Sequence, residues 1–279
     1  MVAGTAGAPH RGLDEREIIT RDDRALDQLR LYNVFMGLAH LIQAIAVLIL
    51  TNDFALPVTA STLTDAPGVA DPVFEIWFRL AIGPAVAVFF LISAVNHLLM
   101  ASPMLFPWYR TNLQRGIHYT RWYEYALSAG LMIVLISLVT GISDYRALAG
   151  AFGLTAAMNL FGFMQERHTI DRRLAGKNVN WSAFWFGTWA GLIPWILIFM
   201  TALDAPGGFD GAGNVPGFVW GIFASLLIAF SSFAVNMLLQ YHGVGPWRVY
   251  LFGERVYMWL SLIAKAALAW QIFANTLID

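Results

Sequence analysis

The sequence predicts an all-α membrane protein, a bundle of seven transmembrane helices with a cytoplasmic N-terminus. Three observations carry that prediction. Of the 279 residues, 58% are hydrophobic and only 13% charged, with a mean hydropathy of +0.60. A soluble domain of this length does not need so much apolar surface. The apolar residues gather into seven runs, near 31–50, 76–101, 118–141, 145–165, 182–203, 215–240 and 252–277. Each is close to the roughly 20 residues that cross a bilayer as a helix. Finally, the basic residues are distributed unevenly. Alternate connections hold fourteen of the seventeen, and only Arg79 and Arg146 fall on the other side. The positive-inside rule places the rich side, and with it the N-terminus, in the cytoplasm, and the C-terminus outside the cell.

In chain order, residues 1–28 read as a charged cytoplasmic tail. They lack the apolar core of a signal peptide. Residues 29–279 read as one membrane domain. Its first connection, Thr51 to Glu75, is long and acidic, with three prolines. The TAST stretch at 59–62 can pair there as a short β-ribbon. The second connection carries Arg110 and Arg115, the fourth Arg167, Arg172, Arg173 and Lys177, and the sixth Arg248 and Arg255. The fifth, from Asp204, is acidic and rich in glycine. There is no cysteine, so disulfides and thiolate chemistry are excluded. A net charge of −1 gives no sign of a nucleic-acid partner.

Ionisable residues inside membrane spans are functional candidates by default. Lys265 is the foremost, in the middle of the last span. A charged lysine at mid-bilayer costs roughly 3 kcal/mol on insertion scales. About eleven residues, or roughly 16 Å of helix, flank it on each side, too far for its amine to snorkel out. Three readings are open: a neutral amine, an amine paired with a buried carboxylate, or an amine condensed with an aldehyde as a Schiff base. Glu124, early in the third span, is the acid expected to face it. Its rival partner is Arg121, one turn earlier on the same helix. Ser261 lies one turn before Lys265. His40 and Gln43 lie on the first span and Ser93 and His97 on the second, and His40, His97 and Glu124 fall in the cytoplasmic half. Hydrogen bonding between helices explains each histidine alone equally well. His118 is expected at the interface. Trp181, Trp185 and Trp189 follow one another at helical spacing before Pro194, and Phe230 and Phe233 lie a turn apart. Such walls suit a bulky apolar ligand, or an aromatic belt.

Four runs carry a resemblance: RWYEYALSAGLMIVLI, FWFGTWAGLIPWILIF, SFAVNMLLQYHGVGPW and GERVYMWLSLIAKAALAWQIFANTL. They resemble the heliorhodopsins, from about Leu29 to Leu277. The inverted orientation read from the arginines is also a mark of that family. The resemblance implies a rhodopsin-like fold and a homodimer in the lipid membrane. It also implies an all-trans retinal, covalently held, that isomerises to 13-cis in light. Lys265 matches the Schiff-base lysine and Glu124 its counterion. Ser261, His40, Gln43, Ser93, His97 and Arg121 match polar positions around them. Met158, Trp185, Trp195, Phe230 and Phe233 match the retinal pocket or its surroundings. Ala129 and Thr155 depart from the serine and asparagine of some members.

The leading expectation is a light-sensing photoreceptor, not an enzyme, that shifts a proton and its helices without pumping ions. A signalling partner at the cytoplasmic surface would read that shift. The alternative is a light-driven or light-gated proton transporter. A metal enzyme built on His40, His97 and His118 is disfavoured, because no metal-ligand spacing links them.

Overall fold

A computed structural model describes residues 23–204 and 217–276. The rest of the N-terminal tail and most of the fifth connection lie outside the described residues. Seven long helices form the body: α1 (Asp23–Leu50), α2 (Ile82–Ala101), α4 (Tyr119–Val139), α5 (Tyr145–Leu174), α6 (Ser182–Asp204), α7 (Gly217–His242) and α8 (Tyr250–Thr276). All seven are long and apolar enough to span a membrane. A short helix, α3 (Phe106–Gln114), joins α2 to α4, and a 3-10 turn (Gly245–Arg248) joins α7 to α8. Helix α1 packs on α2 and α8, α2 on α4, α4 on α5, α5 on α6, and α7 on α8.

Helix ends follow local chemistry. Asp144 caps α5, accepting from the backbone N–H groups of Arg146 (2.9 Å) and Ala147 (3.2 Å). At the far end of α4, Gly141 adopts a φ of 99°. Its N–H bonds Leu138, and that of Ile142 bonds Ser137, so the last carbonyls are satisfied. Any residue with a Cβ is strained at that φ. Helices α3, α5 and α7 end in the same pattern.

The first connection forms an antiparallel ribbon, β1 (Ala55–Thr62) with β2 (Val73–Ala81), in register from Ala55–Ala81 to Thr62–Val73 with a bulge at Val58/Thr59. The TAST stretch is thus a strand, as expected. Residues 76–81, read from hydropathy as the start of the second span, are instead the end of β2. The ribbon lies across the α4–α5 turn, where Thr59 N–H bonds the Ser143 carbonyl at 2.8 Å. Val58 packs with Leu138 and Leu148 beneath it. The face of β2 carrying Phe74 and Trp77 stays exposed.

The molecule therefore has a hairpin end and an arginine-rich end. Between Lys265 and the hairpin end, the interior is mostly apolar, with Ser137 and Thr155 buried and Ser225 bonded to Gln271. Phe89, Phe90, Ile133, Ile136, Leu268 and Phe273 are fully buried there in one cluster. Aromatic packing dominates toward the other end, with Trp122, Tyr125, Phe184, Tyr241 and Tyr257 in one group.

Candidate functional site

Lys265 is buried in α8, and its Nζ has two partners. It donates to Glu124 Oε1 and to Ser261 Oγ, each at 2.9 Å. Ser261 is one turn earlier on α8, so helical spacing alone supplies that contact. Glu124 arrives from α4, and Ser93 of α2 donates to the same Oε1 at 2.6 Å. Nζ also lies 5.1 Å from the centre of the Tyr125 ring. A buried charge must be paired and hydrogen-bonded, and this one is paired across three helices.

Arg121 does not take Glu124 from Lys265. It turns toward the arginine-rich end and bonds Glu166 at 2.6 Å and Glu254. Its guanidinium lies over Trp122 and Tyr257, 4.7 and 4.2 Å from the ring centres. Glu166 also accepts from Trp122 Nε1 (2.7 Å), Tyr250 OH (2.9 Å) and the His118 N–H (3.1 Å). His118 Nδ1 lies 2.8 Å from Glu254. His118, at the N-terminal end of α4, is buried because it completes this charge cluster. Glu124 and Lys265 are thus not the only deep ionisable residues. Sequence reading stopped the fourth span at 165, whereas α5 runs on to Leu174 and carries Glu166 inside. Glu254 stands one turn into α8, and the sequence carries no signal that brings it or Glu166 to Arg121.

The histidines meet as a stack. The rings of His40 and His97 are 5.7 Å apart and nearly parallel. His97 Nδ1 lies 2.8 Å from Asn33 Oδ1. His40 has no hydrogen-bond partner at either ring nitrogen among the described residues. A small polar cavity joins His97 and Glu124 to Arg121, His118 and Glu254. Gln43 stands apart from it, accepting from Trp270 Nε1 at 3.3 Å.

On the opposite side of Lys265 the walls are apolar. A cavity of about 50 Å³ begins at Lys265 and Ser261 and runs past Tyr125, Met158, Phe230 and Phe233. The same last four residues border a larger second space of about 140 Å³ between α6 and α7. Trp195 closes one end of that space, with its ring 5.3 Å from Phe230. Trp185 does not line either space. It is 62% exposed, because the spacing that aligns it with Trp189 turns both outward on α6. Sequence reading missed two buried residues of the lysine cavity, Ser128 and Asn159.

The geometry is that of a buried amine, held beside a carboxylate, at the closed end of a largely apolar cavity. A family model for heliorhodopsins matches residues 29–277. The chain belongs to the heliorhodopsin family. No curated protein matches it. Heliorhodopsins are retinal-binding, light-responsive rhodopsins, so membership implies a retinal chromophore. The residues of this heliorhodopsin fit such a group. An amine that can condense with an aldehyde opens onto a cavity lined by Tyr125, Met158, Phe230 and Phe233, the largely apolar and aromatic lining of a small-molecule site.

Proposed function

We propose that this heliorhodopsin is a light sensor in which Lys265 Nζ carries retinal and Glu124 balances the charge on that nitrogen. The observation that carries the reading is the Lys265–Glu124 contact at the closed end of an apolar cavity. When bound, retinal absorbs visible light and isomerises from all-trans to 13-cis.

The protein's part follows from the contacts. Lys265 anchors the aldehyde carbon, and Ser261 fixes the direction of Nζ. Tyr125, Met158, Phe230 and Phe233 confine the polyene, and Trp195 bounds the space beyond. Glu124, held by Ser93, keeps the proton on Nζ in the dark. A proton released from Nζ would pass to Glu124 Oε1, which Nζ already contacts, or on toward the His97–His40 stack. That stack borders the polar cavity on the arginine-rich side, so the charge moves toward Glu254 and His118 and shifts the helices that carry them. The fourteen basic residues support a cytoplasmic position for that end, where a partner would read the shift.

Net pumping is not expected. A proton path needs polar groups through both halves, and the hairpin half is filled by Phe89, Phe90, Leu268 and Phe273. Purified protein mixed with all-trans retinal should develop a visible absorption band, and Lys265→Ala should not. In liposomes the pigment should cause no sustained pH change under light. A coloured Lys265→Ala protein would end the assignment of the amine, and steady light-driven acidification or alkalinisation would favour the transporter.

A further inference from the structure

A separate cleft opens at the arginine-rich end, between α5, α7, the 3-10 turn and the start of α8. Arg173 and Arg248 both line it, and no acidic residue does. Neither arginine has an ion pair among the described residues. Arg173 donates to the Tyr241 carbonyl at 2.7 Å and Arg248 to that of Gly243 at 3.1 Å. Each therefore keeps guanidinium N–H groups for another acceptor, since the group carries five donors. Tyr250 stands between this space and Glu166, to which its hydroxyl donates. The charge of Glu166 is turned inward and matched by Arg121.

Two guanidiniums facing one acid-free space suit a phosphate, because the planar fork matches phosphate oxygens. The neutral wall adds detail. Gln240 is only 4% exposed, and its Nε2 donates to the Tyr250 carbonyl at 3.2 Å. Its Oε1 has no partner among the described residues. An acceptor left over beside two arginines calls for a ligand with a donor next to its anion. The Thr169 hydroxyl and the Trp247 ring also border the space.

We propose that this cavity binds a phosphate ester with an adjoining hydroxyl, of the glycerol phosphate kind. Two sources offer that chemistry, the headgroup of phosphatidylglycerol and soluble glycerol 3-phosphate. The proposal does not rest on the light-sensing reading, because the cavity is separate from Lys265.

The test uses the full chain in nanodiscs. In phosphatidylcholine discs, glycerol 3-phosphate is titrated against chloride at equal ionic strength, and thermal stability is followed. In mixed discs, native mass spectrometry counts retained phosphatidylglycerol. A saturable stabilisation by glycerol 3-phosphate identifies the soluble source, and selective retention of phosphatidylglycerol the lipid source. Either supports the site, provided Arg173→Gln with Arg248→Gln weakens binding by about tenfold or more while Lys177→Gln, outside the cavity, does not. Arg248→Glu, at an exposed side chain, should weaken it without disturbing the fold. Lys265→Ala should bind as wild type does, which separates this site from the pigment. Failure of both probes to bind, or binding that Arg248→Glu leaves unchanged, overturns the proposal.

Discussion

Arg121 is the residue on which the buried charges depend. It stands between Glu166 and Glu254, all three almost wholly buried. Removing one partner of such a network leaves uncompensated charge, at a cost of about 3–5 kcal/mol. Arg121→Gln should therefore lower the thermal midpoint of the purified protein sharply. Adding Glu166→Gln and Glu254→Gln should recover most of the loss, because the carboxylates then no longer need a cation. A single mutant as stable as wild type would show that the cluster carries no such charge. At this scale the sequence was legible in part. Lys265 stood out because a lysine amid apolar residues has no bland explanation, and Glu124 followed as the nearest deep acid. The pairing of Arg121 was not legible. Spacing on α4 offered Glu124 one turn away, while the true partners come from helices distant in sequence. Trp185 illustrates the same gap, since periodicity shows which aromatics share a face but not whether that face meets protein or lipid.

Among the elements, α4 and α5 show how close packing is set by single residues. A Cβ at Gly162 would lie 2.3 Å from the Trp122 ring. That ring cannot swing away freely, because its Nε1 is bonded to Glu166. Gly162→Ala should destabilise the protein by about 1–3 kcal/mol, the usual range for overpacking, despite the better helix propensity of alanine. Gly153, on the same helix, has nothing within 4 Å of its ideal Cβ. Gly153→Ala should be neutral or stabilise by up to about 1 kcal/mol. Thermal unfolding of the two variants side by side checks the contrast, and equal effects would contradict the packing. The seven long helices were readable because a bilayer demands long apolar runs. Their ends were less so. Hydropathy ran unbroken from β2 into α2, since a strand with an exposed apolar face and a buried helix use the same residues. On α5 it stopped too soon, because the last turns carry charges that the fold buries or turns to the surface.

For the whole molecule, the polar cavity, the histidine stack and the buried charge cluster all lie on the arginine-rich side of Lys265, while the hairpin side is mostly apolar. That asymmetry suits a device that moves charge one way within the protein and reports it at one surface. The proposed orientation rests on the arginines alone, because their count by side does not depend on tertiary contacts. A cysteine introduced in place of Lys177 should resist an impermeant thiol reagent in intact cells, and one in place of Asp65 should react. The reverse pattern would place the arginine-rich end outside. The account rests most heavily on the contact between Glu124 and the amine of Lys265, and the visible spectrum of Glu124→Gln reads that contact directly. A carboxylate beside the nitrogen stabilises the ground state, where positive charge sits near the nitrogen, more than the excited state, where it has moved along the polyene. Removing the charge should narrow the gap and move the absorption maximum to longer wavelength. A mutant spectrum that overlays that of the wild type would contradict the account, because the carboxylate would then not face the chromophore.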